Sequence, residues 1–434
     1  MVSNQIPIPS YVYGLPPISR VPDLADTDLY KLTMLKFVCD HYSEASVRFE
    51  LKVRKDVVFT AADEAEIKRR LKSFKNAKFG EASLAYLGEK SPFLGTEFLT
   101  YLKGARVDPS ECHIWRDDQG YIHGIVEGLW AHTILWEIIC LYTISGVYFK
   151  NHFPPLTNDQ KAQIYRDAVA KGKGFRERQC FFIEMGTRRR YSLDVQRIVM
   201  RGLIDGATDP ETGICYLLGT SNVMLAAEFG LTPQGTMAHE IFSGVAAMVG
   251  VENANNVVLG KWADTYHGQL GVALPDTFTT EFFLRTYNPF YANLYYGLRH
   301  DSHKEPNVWT DMVLGHILGL GIDTRTKRLV FSDGIDGFER VDSILGYRRS
   351  ECMKSFGIGT WLTNDLQHIN GAEALNVVMK LTAAKKNAYE PWRHACKLSD
   401  VEGKEIGDPV TIDEYKRKVY DTHSVLPLSV LLSL

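Results

Sequence analysis

From about residue 180 to residue 380 the chain alternates short apolar runs with turns and helical stretches, and this alternation narrows its possible folds more than any other feature. The runs span residues 180–185, 216–219, 235–238, 269–274, 294–298, 328–332, 354–358 and 375–380. Most are followed by a polar or glycine-containing turn and then a helical stretch. Parallel strands cannot be joined by a tight turn and need a crossover of about a dozen residues, so this order predicts a parallel sheet with helical crossovers, open or closed as a barrel. In such folds ligands sit at the carboxyl ends of the strands, and those ends are where chemistry is expected.

The flanks follow other patterns. Residues 43–129 mix alternating segments, 46–53 and 121–126, with lysine-rich helical stretches such as 65–79. The apolar run 130–149 is long enough to be weighed as a membrane span. His132 and Glu137 interrupt it where a bilayer would penalise them, so a buried core helix is expected instead. A polar helix around 159–174 leads into the alternating block. At roughly 150 residues per domain, 434 residues suggest two or three domains. The expected division is an irregular arm (1–20), a mixed α+β domain (21–150), the α/β domain (175–385) and a C-terminal segment (386–434) packing back on the N-terminal domain. The apolar tail 424–434 is expected to cover a subunit or domain surface.

With a formal net charge of −3 and no basic stripe, the chain lacks the electrostatic footprint of a nucleic-acid binder, and small-molecule ligands are expected. Its seven widely spaced cysteines include no CxxC pair, which indicates neither a zinc site nor a disulfide framework. A reducing compartment fits, cytoplasmic or also nuclear. The first twenty residues carry four prolines and lack a basic segment followed by a continuous apolar stretch, so no secretory signal is expected.

The first run leads into Gly186-Thr-Arg-Arg-Arg190 and then Ser192, placed to cap a helix over 193–204. Three arginines at such a junction suit phosphate or carboxylate recognition through the bidentate guanidinium, although a solvated charge run fits equally well. The next run ends in Leu218-Gly-Thr-Ser-Asn222, small hydroxyl and amide residues that open a helix over 223–229 with an N-terminus able to attract anions. The third ends at His239 and Glu240, which strand alternation would point to opposite faces, leaving one for a ligand. His239 is the candidate, because a neutral imidazole with an ordinary pKa of about 6.5 is a competent nucleophile near pH 7. A lone histidine is nonetheless more often structural. Leu274-Pro-Asp-Thr277 and Arg299-His-Asp-Ser302 place Asp276 and Asp301 just past two further strands. Such carboxylates hold magnesium through water, steady a cationic sugar carbon, or simply cap turns. Phe331-Ser-Asp-Gly-Ile-Asp336 and Phe356-Gly-Ile-Gly-Thr360 offer glycines, hydroxyls and backbone N–H groups at two consecutive late strands, as a barrel phosphate site does, and Lys380 closes the last run. No residue is assigned as a direct metal ligand.

Together with Asp26-Thr-Asp-Leu-Tyr-Lys-Leu-Thr-Met34 and Gly407-Asp-Pro409, these blocks, in this order, resemble the nicotinate phosphoribosyltransferase family over nearly the whole chain. The resemblance implies an irregular α/β barrel of the type II phosphoribosyltransferases beside a mixed domain assembled from both chain ends. It implies transfer of a phosphoribosyl group from 5-phosphoribosyl diphosphate (PRPP) to nicotinate, giving nicotinate mononucleotide and pyrophosphate in NAD salvage, with magnesium and coupled ATP hydrolysis. By this likeness His239 is the residue phosphorylated by ATP, and Asp301, with Asp276 the second catalytic aspartate, lies near the reacting sugar carbon. Arg188 and Arg299 match positions that contact the base or its ribose phosphate partner, and Thr220, Ser221 and Ser302 complete the substrate-binding set. Ser332, Asp333, Gly334, Gly359 and Thr360 fall where the family binds phosphate, with Lys380 nearby. Tyr30 matches an aromatic that reaches the neighbouring subunit's active site, which implies a homodimer.

Nicotinamide-using relatives carry an acidic residue where this chain has Ser221; a carboxylate there would repel nicotinate, and a serine does not. The chain also departs from its relatives in two places. Where the family usually reads Asp-Ser-Gly-Asp-Pro, this chain reads Asp301-Ser-His-Lys-Glu-Pro306, losing the glycine and gaining a residue, with Glu305 available in place of the missing aspartate. Met185 stands where relatives often carry a phenylalanine that stacks on the pyridine ring, and methionine can still cover an aromatic face. The rival readings are a non-catalytic ligand-binding paralogue, a phosphoribosyltransferase for nicotinamide or quinolinate, and an unrelated barrel enzyme for phosphosugars.

Overall fold

The computed structural model describes residues 8, 21–53, 57–303 and 305–420. The arm expected over 1–20, residue 8 apart, the tail 424–434 and Lys304 of the altered loop lie outside the described residues. In chain order the strands are β1 (Ser46–Val53), β2 (Cys112–Arg116), β3 (Ile122–Leu129), β4 (Phe182–Glu184), β5 (Leu217–Thr220), β6 (Val272–Ala273), β7 (Gly297–His300), β8 (Arg328–Phe331), β9 (Met353–Ile358), β10 (Val377–Lys385) and β11 (Arg393–His394).

Six of them form the parallel sheet that the alternation predicts, in the order β5-β4-β9-β8-β7-β6. Because they run the same way, the turns after them gather at one rim. The segment 235–238, expected as a strand, joins no ladder. Gly235 has a φ of +155°, and a Cβ there would meet the Tyr30 backbone nitrogen at 2.9 Å, so the chain passes too close to its neighbour for a side chain. This segment instead touches both edges of the sheet: the Gln234 N–H donates to the Thr220 carbonyl at β5 (2.9 Å) and the Thr236 hydroxyl to the Val272 carbonyl at β6 (3.0 Å). The α/β architecture with its parallel sheet and covering helices is as expected, and its irregularity lies at this join.

The run expected as the eighth parallel strand belongs elsewhere. It is β10, antiparallel to β1 with Leu51 opposite Met379, in a five-stranded sheet ordered β11-β10-β1-β3-β2. The pairing is long: β10 has nine residues and β1 eight, whereas the parallel strands have two to six. In β1, Val47, Phe49 and Leu51 alternate inward, giving this sheet one packed face.

Against the five-stranded sheet and the turn that follows β4 lies the apolar run, as helices Trp130–Thr133 and Trp136–His152. It is long and apolar enough to cross a membrane, yet 78% of its most apolar window is buried inside the protein. Glu137, one of the two residues that spoke against a span, is buried here with a partner. Its carboxylate lies 2.6 Å from Lys31 Nζ, on the helix Leu29–His41. Lys31 also bonds Glu240, on the helix His239–Val249, and the Trp130 indole donates to Glu240 Oε1 at 2.7 Å. One fully buried ammonium thus ties three helices together.

Removing a single partner from a buried ion cluster strands the others in a medium that solvates charge poorly, a loss of about 3–5 kcal/mol. Lys31→Met is therefore expected to lower the unfolding free energy obtained from urea titration by about that much, with a lower midpoint, and adding Glu240→Gln to restore part of the loss. A single variant that unfolds at the wild-type midpoint would remove the cluster from its central place.

Candidate active site

The rim of the parallel sheet, the inner faces of β1 and β10 and residues 397–406 enclose a cavity of about 600 Å³. His239 enters it as the first residue of a helix rather than the last of a strand. Helical neighbours are rotated by about 100°, not 180°, so both His239 and Glu240 border the cavity, and the expectation that only one could do so is corrected. The Glu240 carboxylate turns back to Lys31 and Trp130. The His239 imidazole faces the centre: Nδ1 lies 3.0 Å from Thr277 Oγ1, while Nε2 lies 2.8 Å from Asp301 Oδ2 and 2.9 Å from Lys397 Nζ.

Burial pushes the His239 pKa below its ordinary value, and the Lys397 charge adds to this against the pull of Asp276, so the ring is neutral near pH 7. A neutral ring carries one N–H. If Nε2 holds it, Asp301 accepts it; if Nδ1 donates to Thr277, the Nε2 lone pair accepts from Lys397, and this tautomer is the one whose Nε2 can act as a nucleophile.

Two aspartates stand beside the ring. Burial would raise the Asp301 pKa, but Arg299 and the His239 hydrogen bond hold it well below the usual carboxylate range. Its Oδ1 accepts from the Ser332 hydroxyl at 2.7 Å, so Ser332, expected to bind phosphate, orients Asp301. Asp276 lies behind the cavity wall, with one oxygen held by Ser302 and Lys397. Its other oxygen, Oδ1, is buried without a hydrogen-bond partner, as is Arg299 Nε. Ser302, expected on the substrate, lines the cavity while its hydroxyl donates to Asp276 and accepts from the Ser399 hydroxyl (3.0 Å).

The three arginines have separate roles. Arg188 and Arg189 line the cavity, with Arg188 3.7 Å from Glu137, whereas Arg190 is buried in a bidentate pair with Asp26 (2.7 and 2.5 Å). Thr220, expected on the substrate, is also behind the wall. Its hydroxyl donates to Glu184 (2.5 Å), a buried carboxylate that also accepts from the Gly186 N–H, Gln196 and Thr363 and so shapes the arginine turn. Ser221 does border the cavity, and its hydroxyl donates to Asp28 at 2.7 Å. The region is therefore not free of carboxylates. Burial raises Asp28 to about 6, against the opposing charge of Arg188.

Tyr30, expected at a neighbouring subunit's site, lines the cavity of its own chain. Its helix is docked there by the Leu29 N–H, which donates to the Ser221 carbonyl at 2.7 Å. Met185, Asp333, Gly334, Gly359, Thr360 and Lys380 also line the cavity. Gly334 turns with a φ of +67°, and burial together with Asp301 raises the Asp333 pKa. Glu305, available in place of the missing aspartate, is exposed, flanks the helix Pro306–Gly319, and donates its N–H to His303 Nδ1 (3.1 Å).

Lys397, Asp28 and Glu137 are site residues that the sequence reading passed over. Lys397 comes from the C-terminal segment expected to pack on the N-terminal domain. That segment adds β11 to the sheet of β1–β3 and also crosses the rim, where the Leu398 N–H donates to the Thr277 carbonyl (2.9 Å) and Asp400 accepts from the Thr280 N–H (2.6 Å). Ser399 sits at a φ of +71°, a conformation costly for a side chain and held here by its neighbours. Nothing local in Lys397-Leu-Ser-Asp400 announces this placement.

Sequence models of the nicotinate phosphoribosyltransferase family match residues 180–424, and those of its N-terminal domain match 25–145. The nicotinate phosphoribosyltransferase of Vibrio vulnificus (strain CMCP6) is 34% identical over 395 residues, 89% of this chain and 86% of that protein. The Methanosarcina mazei protein of the same name is 34% identical over 403 residues, covering 89% and 95%. The crystal structure of nicotinate phosphoribosyltransferase from Porphyromonas gingivalis superposes with a TM-score of 0.86 at 32% identity, over 92% of this chain and 99% of that one.

Burial and the Lys397 charge push Lys380 down to about 8. Its ammonium is thus present below that pH and lost above it. Inorganic pyrophosphate is expected to bind less tightly as pH rises through about 8, with the break flattened in Lys380→Gln; a pH-independent affinity measured by calorimetry would exclude Lys380 from anion binding.

Proposed function

The chain belongs to the nicotinate phosphoribosyltransferase family, and on that premise we propose how its cavity performs the reaction. It transfers the phosphoribosyl group of PRPP to nicotinate, giving nicotinate mononucleotide and pyrophosphate in NAD salvage. The observation that carries the residue assignments is the cluster of His239, Asp276, Asp301 and Lys397 beside Arg299.

As pyrophosphate departs, positive charge develops on the ribose carbon, and the ionised Asp301 stabilises it because its charge is already in place. The pyridine nitrogen attacks that carbon. Arg188 is the cation available to the nicotinate carboxylate, while Tyr30 and Met185 offer flat contact to its ring. Gly334, Gly359, Thr360 and Lys380 supply donors for phosphate, and the unpaired Arg299 Nε is a further one.

The unpartnered Asp276 Oδ1, close to Asp301 and His239, fits a hard cation, and oxygen donors suit magnesium. Asp276 and Asp301 would hold it; when bound, magnesium neutralises the leaving pyrophosphate.

ATP enters through His239. With Nδ1–H donated to Thr277, the Nε2 lone pair attacks the γ-phosphorus and the bond to ADP breaks. Lys397 Nζ, 2.9 Å from Nε2, is the counter-cation for the phosphoryl group so formed. Hydrolysis of that group drives an otherwise balanced transfer. A homodimer and a reducing setting, cytoplasmic or also nuclear, complete the proposal. The dimer rests on the family resemblance.

His239→Ala is expected to take no label from γ-labelled ATP and to lose ATP stimulation while keeping a residual transfer rate. Lys397→Ala should lower the phosphohistidine yield about ten- to hundredfold, the worth of a charge-assisted hydrogen bond, with partial rescue in Lys397→Arg. Full labelling of His239→Ala would overturn the assignment, and wild-type enzyme that neither takes label nor releases pyrophosphate would support the non-catalytic rival. In sedimentation run alongside assays, activity is expected to follow a dimer; a fully active monomer would remove the dimer from the proposal.

A further inference from the structure

Outside the residues that line the cavity, two thiols face each other. Cys112 opens β2 and is partly exposed, Cys140 is buried on the helix Trp136–His152, and their sulfurs lie 3.5 Å apart. β2 is the outer strand of its sheet and pairs only with β3, so its free side leaves it room to shift. A disulfide needs the sulfurs at about 2.05 Å, an approach of roughly 1.5 Å from here.

We propose that Cys112 and Cys140 are an oxidisable pair whose disulfide alters the active site through the helix that carries Cys140. That helix grips the arginine turn at three points. Glu137, one turn before Cys140, lies 3.7 Å from Arg188; the Ser145 hydroxyl donates to the Arg190 carbonyl at 2.8 Å; and the Arg190 guanidinium lies 4.4 Å from the Tyr142 ring centre. Glu137 also holds Lys31 at 2.6 Å. At its other end Cys112 adjoins Glu111, which accepts from the Trp136 indole at 3.3 Å, so strand and helix already meet where the bridge would form. Drawing Cys140 toward β2 therefore pulls on the groups that orient Arg188.

The chemistry balances with a hydroperoxide as oxidant. The more exposed Cys112 sulfur, as thiolate, attacks the peroxide oxygen, giving a sulfenic acid and, from hydrogen peroxide, one water. The Cys140 sulfur then attacks the Cys112 sulfur, the S–O bond breaks, and a second water leaves with the remaining protons. Two thiols and one peroxide become one disulfide and two waters, and a thiol reductant reverses the change.

The test treats the full chain with equimolar hydrogen peroxide, alkylates the remaining thiols and maps peptides by mass spectrometry without reduction. The expected product is a Cys112–Cys140 peptide pair lacking two hydrogens, lost on reduction and absent in Cys112→Ser. The bridged enzyme should show a severalfold fall in kcat/KM for nicotinate that dithiothreitol restores, and Cys112→Ser should keep its activity through the same treatment. Two outcomes overturn the proposal: oxidation of Cys112 to sulfinic acid with no bridge, or a bridged enzyme with unchanged kinetic constants. The peptide map does not depend on the reaction assigned above, so failure of that assignment and failure of the bridge are distinguishable.

Discussion

The buried ammonium of Lys31 is the joint on which the active site hangs. Burying a charge is unfavourable unless it is paired, and this one is paired twice, with Glu137 and Glu240. Those carboxylates sit on helices that carry, or directly support, the two ends of the cavity. Glu240 immediately follows His239, and Glu137 faces Arg188. Burial raises the Glu240 pKa, with Lys31 pulling it part of the way back. Glu137 is also penalised by burial but is held below its ordinary value by Lys31, Arg188 and Lys380. The placement of His239 relative to Glu137, which faces Arg188, is therefore set largely by the two buried ion pairs of Lys31.

Around His239 the electrostatics are a contest rather than a fixed pairing. Asp301 and Lys397 both reach Nε2, one asking for a proton and the other for a lone pair. Phosphorylation would resolve the contest in favour of Lys397 and leave Asp301 free for the sugar, so one imidazole could join the ATP step to the transfer without large motion. The crossing segment at 397–400 makes this possible, since it anchors to Thr277, the same residue that holds His239 Nδ1.

Several residues expected to touch substrate are bonded to carboxylates, Thr220 behind the cavity wall and Ser302 and Ser332 along it. Thr220 supports Glu184, Ser302 holds Asp276 and Ser332 orients Asp301. Sequence placed these hydroxyls correctly at strand ends, but a hydroxyl donates one hydrogen, and whether it points at a ligand or a neighbouring carboxylate depends on side chains far away in the chain. The arginine run shows the same limit. Three identical residues in a row are distinguished only by what each meets, and Arg190 meets Asp26, 164 residues earlier.

The sequence by itself determined the parallel sheet, the rim where chemistry gathers, the core helix in place of a membrane span, and His239, Asp276 and Asp301 as candidates. These follow from local periodicity and from residue types at strand ends, which need no knowledge of distant partners. Tertiary structure alone decided that β10 leaves the parallel sheet for β1, that Tyr30 faces its own cavity, and that His239 opens a helix. It alone brought Lys397 to the imidazole across 158 residues. The physical reason is common to all four: each depends on which surface a segment packs against, and packing is a property of pairs of segments that neither one carries in its own pattern.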